Sequence, residues 1–338
     1  MVCLNCVIQY LASVFFVVIS FLVSLLHFKT PKPRQRTEAE TYYQSSTTKE
    51  KKKVDSIFNK PSVFLSIIIP AYNEQERLPV LLNDIYNYLK NRENPKPNEK
   101  NHGKSKESPR TPFTYEIILV NDCSSDKTTE IALEFGRKHN LNLKVIVMEI
   151  NRGKGGSVTQ GILSCSGEYV LFCDADGATR FKDIDNLLDR ITSENVDKSS
   201  GVVAIGTRPI VDSTTIVVQR SFVRKLLQSG FKLYVNILGV RGIDDTQCGF
   251  KLFNRTAAKT IFSQLHIERF IFDIEVLLLA QHYRFPIIQV PVNWHEVQGS
   301  RMSLVRDSIQ MALDLLALRL NYLFGLWKTL PISEIDRR

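Results

Sequence analysis

Two aspartates separated by one small residue, Asp174-Ala-Asp176, close the apolar run Tyr169 to Cys173 and are followed by Gly177. Side chains alternate along an extended backbone, so both carboxylates leave the strand end on the same side. The glycine then permits a sharp turn. Two carboxylates held this way suit a hard divalent cation that keeps part of its water and takes further ligands from a substrate diphosphate. Aspartates that merely cap the turn after a strand would look the same in isolation. The elements around the pair decide between these readings.

Three other polar clusters stand at comparable places. Val63 to Ile69 reads as a buried strand by its β-branched content and stops at Pro70-Ala-Tyr72-Asn-Glu74. Tyr115 to Val120 stops at Asn121-Asp122. A third strand over Leu143 to Met148 leads to Asn151-Arg152-Gly-Lys154-Gly-Gly156, which opens a helix. Basic residues in a glycine-rich turn before a helix are placed to meet phosphate, although solvent-exposed lysine and arginine would read alike. Strand and helix alternate with short connectors, so the fold class is α/β, a mostly parallel sheet with helices on both faces. Ligands in such sheets sit beyond the carboxyl ends of the strands. The stops at Asn73/Glu74, Asp122 and Asp174/Asp176 all fall on those ends, which points to a nucleotide-type site.

Beyond Gly177 the pattern loosens. Val202 to Thr207 reads as a strand, and Ser221 to Leu238 as a helix with Arg220, Arg224 and Lys225 near its start. Asp244-Asp245 begins a polar turn running into a short strand that ends near Phe253. Phe270 to Gln281 has helical spacing with Asp273 and Glu275 inside it, and Ile287 to Pro291 is a further strand. The buried carboxylates have a second reading, as partners of Arg269 or another basic residue. Residues 303–327 form an amphipathic C-terminal helix, either packed on the domain or lying in a membrane interface.

With 338 residues, 43% hydrophobic and 23% charged, the chain can bury a substantial core, which excludes a wholly disordered protein. The net charge of +9 fits an acidic partner without choosing among nucleic acid, anionic lipid and phosphorylated substrate. Nucleic acid is disfavoured because the basic residues gather in residues 29–62 and 91–112 with no aromatic-interleaved recognition motif. A P-loop is absent. The six cysteines are scattered and read as reduced thiols.

Residues 1–28 carry no Asp, Glu, Lys or Arg. A stretch of this kind can cross a bilayer as one helix, which takes about 20 residues. Lys29, Lys32, Arg34 and Arg36 follow it, so the basic flank and the remaining chain are expected on the cytosolic side. Residues 29–62 read as a basic linker, 63–330 as the globular domain, and 91–112 as a disordered insertion within it.

The ordered set Pro70–Glu74, Val120–Asp126, Asn151–Gly155 and Asp174–Asp176 resembles the inverting nucleotide-sugar glycosyltransferases of GT-A fold, family 2. Asp245–Phe253, Glu268–Glu275 and Asn293–Arg301 narrow the resemblance to the branch that glucosylates dolichyl phosphate. The resemblance implies UDP-glucose as donor, dolichyl phosphate as acceptor, and an endoplasmic reticulum membrane location with the catalytic domain facing the cytosol. It implies that Asp122 lies near the uridine and that Pro70, Tyr72 and Glu74 line its pocket. Arg152, Lys154 and Asp174 would meet the diphosphate, and Asp174 and Asp176 would hold Mg2+ or Mn2+. Asp245 matches the family's proposed base. A phosphate monoester is largely dianionic near neutral pH, so Asp245 would orient substrate more than remove a proton. Arg301, with Arg220 or Arg224, would bind the acceptor phosphate. A mannosyl enzyme using GDP-mannose and a tethered binding protein without turnover remain as alternatives.

Overall fold

Nine strands form one sheet in the computed structural model, which describes residues 4–29, 35–48, 50–93, 113–193, 200–208, 230, 234–235, 237–297 and 304–337. They are β1 (Tyr42–Ser45), β2 (Lys51–Lys53), β3 (Val63–Ala71), β4 (Tyr115–Asn121), β5 (Leu143–Val147), β6 (Gly167–Cys173), β7 (Val203–Thr207), β8 (Phe250–Asn254) and β9 (Ile287–Pro291). Their spatial order is β2-β1-β5-β4-β3-β6-β8-β7-β9. The run β5-β4-β3-β6 is parallel throughout, and β7 and β9 are parallel to each other. β8 is antiparallel to both β6 and β7, so β7 and β9 again point the way β6 does. The expected α/β class and mostly parallel sheet are what the structure has.

The central strands read as near-continuous apolar runs because both faces are covered. On one face α2 (Leu78–Glu93), α3 (Thr128–Lys138) and α5 (Ile184–Ser193) bury Leu78, Leu82, Ile85, Ala132 and Leu187 against Ile67, Leu119 and Leu171. On the other, α4 (Lys154–Leu163), α6 (Arg255–Phe262), α7 (Phe272–His282) and α8 (Leu304–Leu323) bury Val158, Phe262, Phe272 and Leu315 against Ile68, Val120 and Phe172. The short helix α9 (Ile332–Ile335) ends the fold. α5 and α6 were not expected from the apolar spacing. Asn254 starts α6 by accepting a hydrogen bond from the Ala257 amide, so β8 passes into the helix without a loop.

The stretch expected as a basic linker is corrected over 35–62. β1 pairs with β5 through Gln44 and Ser45, and β2 adds outside it. Ile57 is buried in the core, and Arg255 ties Ser56 and Asn59 to Gly167 by donating to their carbonyls. Strands this short and polar escape period-2 reading, because the sheet edge they extend supplies their backbone partners. The insertion falls between α2 and β4, and residues 94–112 lie outside the described residues.

α1 (Leu4–Lys29) is a 26-residue helix over the expected anchor. Among the described residues, no helix is long and apolar enough to cross a membrane. Residues 1–4, 6, 18, 19, 21–23 and 25–28 of the expected anchor have side chains outside that description. α8 settles on the domain through buried Met311, Leu315 and Leu318, yet leaves Ile309, Leu313, Leu316 and Leu323 exposed as a second stripe. α1 lies against α8.

Candidate active site

The parallel run β5-β4-β3-β6 sets the site, because register aligns the strand ends. Ala71 of β3 stands beside Asn121 of β4, and Ile68 beside Phe172 of β6. The loops carrying Tyr72 and Glu74, Asp122, and Asp174 and Asp176 therefore leave the sheet at one edge. The first two are laced together. The Asn73 amide donates to Ser124 Oγ, Asn73 Oδ1 accepts from the Ser125 amide, and the Glu74 amide donates to Thr128 Oγ1. Asn73 and Cys123 both take positive φ, 54° and 60°, a conformation uncommon for residues with a Cβ. Much of Asn121 to Asp126 thus builds the loops. Tyr72 is exposed at the rim, while the Glu74 carboxylate is engaged by Arg77.

Asp122 is 3% exposed. Its Oδ1 accepts from the Arg152 amide at 2.7 Å and its Oδ2 from the Gly153 amide at 2.8 Å. Burial pushes its pKa up to about 6, against the pull of those two amides. Gly153 adopts φ +84°, and a Cβ there would meet the Glu268 carbonyl oxygen at 2.9 Å, so glycine is required for this grip.

The expectation for Arg152 is corrected. Its guanidinium is buried and turns away from the strand ends, to Glu40 Oε2 at 2.8 Å, the Gln35 carbonyl at 2.6 Å and Glu268 at 3.3 Å. It holds the loop that grips Asp122. Lys154 is the basic residue that reaches the Asp-x-Asp pair, with Nζ 2.6 Å from Asp174 Oδ1. Burial works against the charge of Lys154, but Asp174, Asp273 and Asp176 together raise its pKa.

Asp174 passes over Gly249. A Cβ at that position would fall 1.9 Å from Asp174 Oδ2, and the Asp174 amide donates to the Gly249 carbonyl at 3.0 Å. The buried Oδ1 of Asp174 is the oxygen that Lys154 approaches. Asp176 Oδ1 accepts from the Ala178 amide, and burial, then Asp174, raise its pKa. Among the described residues no group of three or more His, Cys, Asp or Glu converges as a metal cage. A cation that needs only one or two carboxylates beside substrate phosphate oxygens and water does not require one.

Asp245 is gripped by Arg208, which sequence reading missed. Arg208 Nε donates to Oδ2 at 2.6 Å, Nη2 to Oδ1 at 2.8 Å, and the Arg208 amide to Oδ2 at 3.2 Å. Burial alone would raise the Asp245 pKa, but the guanidinium holds it below the ordinary carboxylate value. Asp245 is thus an ionised, oriented acceptor. Arg208 also lies 5.6 Å from the Trp294 ring centroid. Its signal was available, since it directly follows β7 at the carboxyl edge.

Asp273 and Glu275 prove to be buried partners, though not of Arg269. Asp273 pairs with buried Lys251 at 2.6 Å. Glu275 accepts from the His266 and Ile267 amides and from Tyr322 Oη. Arg220, Arg224 and Arg301 lie outside the described residues.

The family model of glycosyl transferase family 2 matches residues 66–262. A dolichyl-phosphate beta-glucosyltransferase of Dictyostelium discoideum is 40% identical over 321 residues, covering 93% of this chain and 91% of that protein. One from Saccharomyces cerevisiae is 42% identical over 275 residues, covering 79% and 77%. The chain belongs to the dolichyl-phosphate β-glucosyltransferases of glycosyl transferase family 2. Of solved structures, a Mycobacterium tuberculosis glucosyl-3-phosphoglycerate synthase in complex with Mn2+, UDP-glucose and phosphoglyceric acid is similar at TM-score 0.49 and 13% identity, covering 80% and 88%. For a family 2 glycosyltransferase, a single edge of the sheet here presents Asp122, Lys154, Asp174, Asp176, Asp245 and Arg208.

Proposed function

We propose that the chain transfers glucose from UDP-glucose to dolichyl phosphate with inversion, giving dolichyl β-D-glucosyl phosphate for assembly of the N-glycan precursor. The observation that carries this reading is the similarity to dolichyl-phosphate beta-glucosyltransferases over nine-tenths of the chain. The convergence of Asp122, Asp174 and Asp245 at one sheet edge supports it. A donor laid across that edge meets Asp122 at its nucleoside end and Lys154 at its diphosphate. An acceptor phosphate oxygen attacks C1 from the opposite face, the C1–O bond to UDP breaks, and its electron pair leaves with UDP. A dianionic phosphate brings no proton to remove, which suits an Asp245 held ionised and bonded to Arg208. Its part is to orient hydroxyls or the acceptor. The acceptor phosphate is assigned to Arg301 with Arg220 or Arg224.

Asp174 and Asp176 fit Mg2+ or Mn2+, since they offer two carboxylates so near each other that the charge of Asp174, after burial, raises the Asp176 pKa. When bound, such a cation offsets negative charge on the departing diphosphate.

We further assign α1 as a single membrane anchor in the endoplasmic reticulum, with residues 35–337 on the cytosolic side. Its support is the absence of charged side chains in residues 1–28 and a helix of 26 residues, about 39 Å long at ~1.5 Å per residue. The exposed stripe of α8 beside α1 then meets lipid, where the acceptor resides.

The test offers radiolabelled UDP-glucose and GDP-mannose in parallel to the detergent-solubilised chain with dolichyl phosphate and Mn2+ or Mg2+. Lipid-phase label from UDP-glucose alone, lost on chelation and in Asp176→Asn, is the expected result. Label from GDP-mannose overturns the donor. Tight UDP binding without transfer overturns the enzyme. Resistance of the chain to alkaline extraction from microsomes, with its C-terminus open to added protease, checks the anchor and its orientation.

A further inference from the structure

The segment between α1 and β1 buries a full charge. Glu40 is 0% exposed, and its Oε2 meets Arg152 Nη2 at 2.8 Å and the Thr37 amide at 3.1 Å. Its carbonyl accepts from Gln160 Nε2 of α4 at 2.6 Å. The Gln35 carbonyl takes a second bond from Arg152, and Arg36 reaches the Gln160 carbonyl and Ser164 Oγ of α4. Taking a carboxylate and a guanidinium out of water is costly, and a plain tether between an N-terminal helix and a domain has no use for it. What the pair does is visible one residue along. The Arg152 and Gly153 amides are two of the donors that hold the Asp122 carboxylate, beside the Ser157 side chain. The Arg152 side chain is pinned from outside the loop by Glu40 and, from the turn before α7, by Glu268.

We propose that Glu40 is a positioning residue for the nucleotide end of the donor. The segment 35–41 acts as a brace that fixes the 151–153 loop, and through its two amides the rotamer of Asp122. Residues 35–41 thereby belong to the donor site through the loop they brace. The inference rests on the proposed reading that the donor nucleoside lies at Asp122.

The test uses the full-length, detergent-solubilised chain with Glu40→Gln, Arg152→Lys, their double variant, and Arg255→Ala as a purely structural comparison. Arg255 ties Ser56 and Asn59 to Gly167 at the far edge of the sheet. The expected result is a roughly tenfold higher KM for UDP-glucose in Glu40→Gln and in Arg152→Lys, with the KM for dolichyl phosphate unchanged. Residues acting as one unit lose their effect together, so the double variant matches the worse single one. Hydrogen exchange at the Arg152 and Gly153 amides accelerates in Glu40→Gln, and Arg255→Ala lowers Tm without moving either readout. A Glu40→Gln chain that loses only Tm, with donor KM and amide exchange at the wild-type values, overturns the proposal. If those amides exchange faster in Glu40→Gln while UDP-glucose is not a substrate of the wild type, the brace stands and the donor assignment falls.

Discussion

Burial lifts the titration of Asp122 toward the working pH range. Its pKa stands at about 6 against an ordinary 3.8 because burial penalises the charge. The sign follows from that. Between pH 3.8 and about 6 the folded chain holds a proton that the unfolded chain has lost, so the contribution of Asp122 to stability declines as pH rises through this window. The bonds from the 152–153 amides are charge-assisted while Asp122 is ionised, and protonation weakens them. Donor KM is expected to rise as pH falls through about 6, and Asp122→Asn to flatten that limb of the profile. A limb that persists in the asparagine variant would assign it to another group. Asp245 behaves in the opposite way. Arg208 holds its pKa below the ordinary value, so it stays ionised across the same range. Removing the clamp in Arg208→Ala frees Asp245 to turn, and kcat should fall roughly 10²–10³-fold, as when one preorganised polar group is lost. Acceptor turnover in single-turnover mixing checks this, with Tm measured alongside.

Elements explain what no single residue does. β8 runs against its neighbours, so it starts at the edge where β6 stops. Gly249 thereby lies under Asp174, and the Gly249→Ala methyl would have to displace that carboxylate. Loss of metal-dependent transfer with little change in Tm is the expected outcome, read by activity titrated with Mn2+ beside thermal unfolding. The buried Lys251–Asp273 pair joins β8 to α7. Asp273→Ala leaves a lysine uncompensated in the core and should cost about 3–5 kcal/mol of stability, measurable by denaturant unfolding. The sequence made the parallel half of the sheet legible, because strands buried on both faces read as apolar runs ending in polar stops. It concealed β1, β2 and the pairing of Arg152, because short polar strands and buried ion pairs take their partners from distant segments. Arg208 was legible by the same edge rule that found Asp122 and Asp174, and was missed because Asp245 drew the assignment of that corner.

At the scale of the molecule, the two ends of the sheet share a property. β2 consists of Lys51, Lys52 and Lys53, all exposed, and β9 begins after Pro286 and closes on Pro291. An open edge strand is a template for another chain. Lysine repulsion at one end and proline, which lacks a donor, at the other keep the ladder from continuing into a second copy. The expected consequence is a charge-controlled solubility. Replacing the three lysines of β2 with threonine should shift the purified chain toward strand-paired aggregates in light scattering and thioflavin binding. Raising the salt concentration, which screens exposed charge within about 10 Å at 0.1 M, should push the wild type the same way. Crowding tolerance, rather than catalysis, is then what those lysines determine.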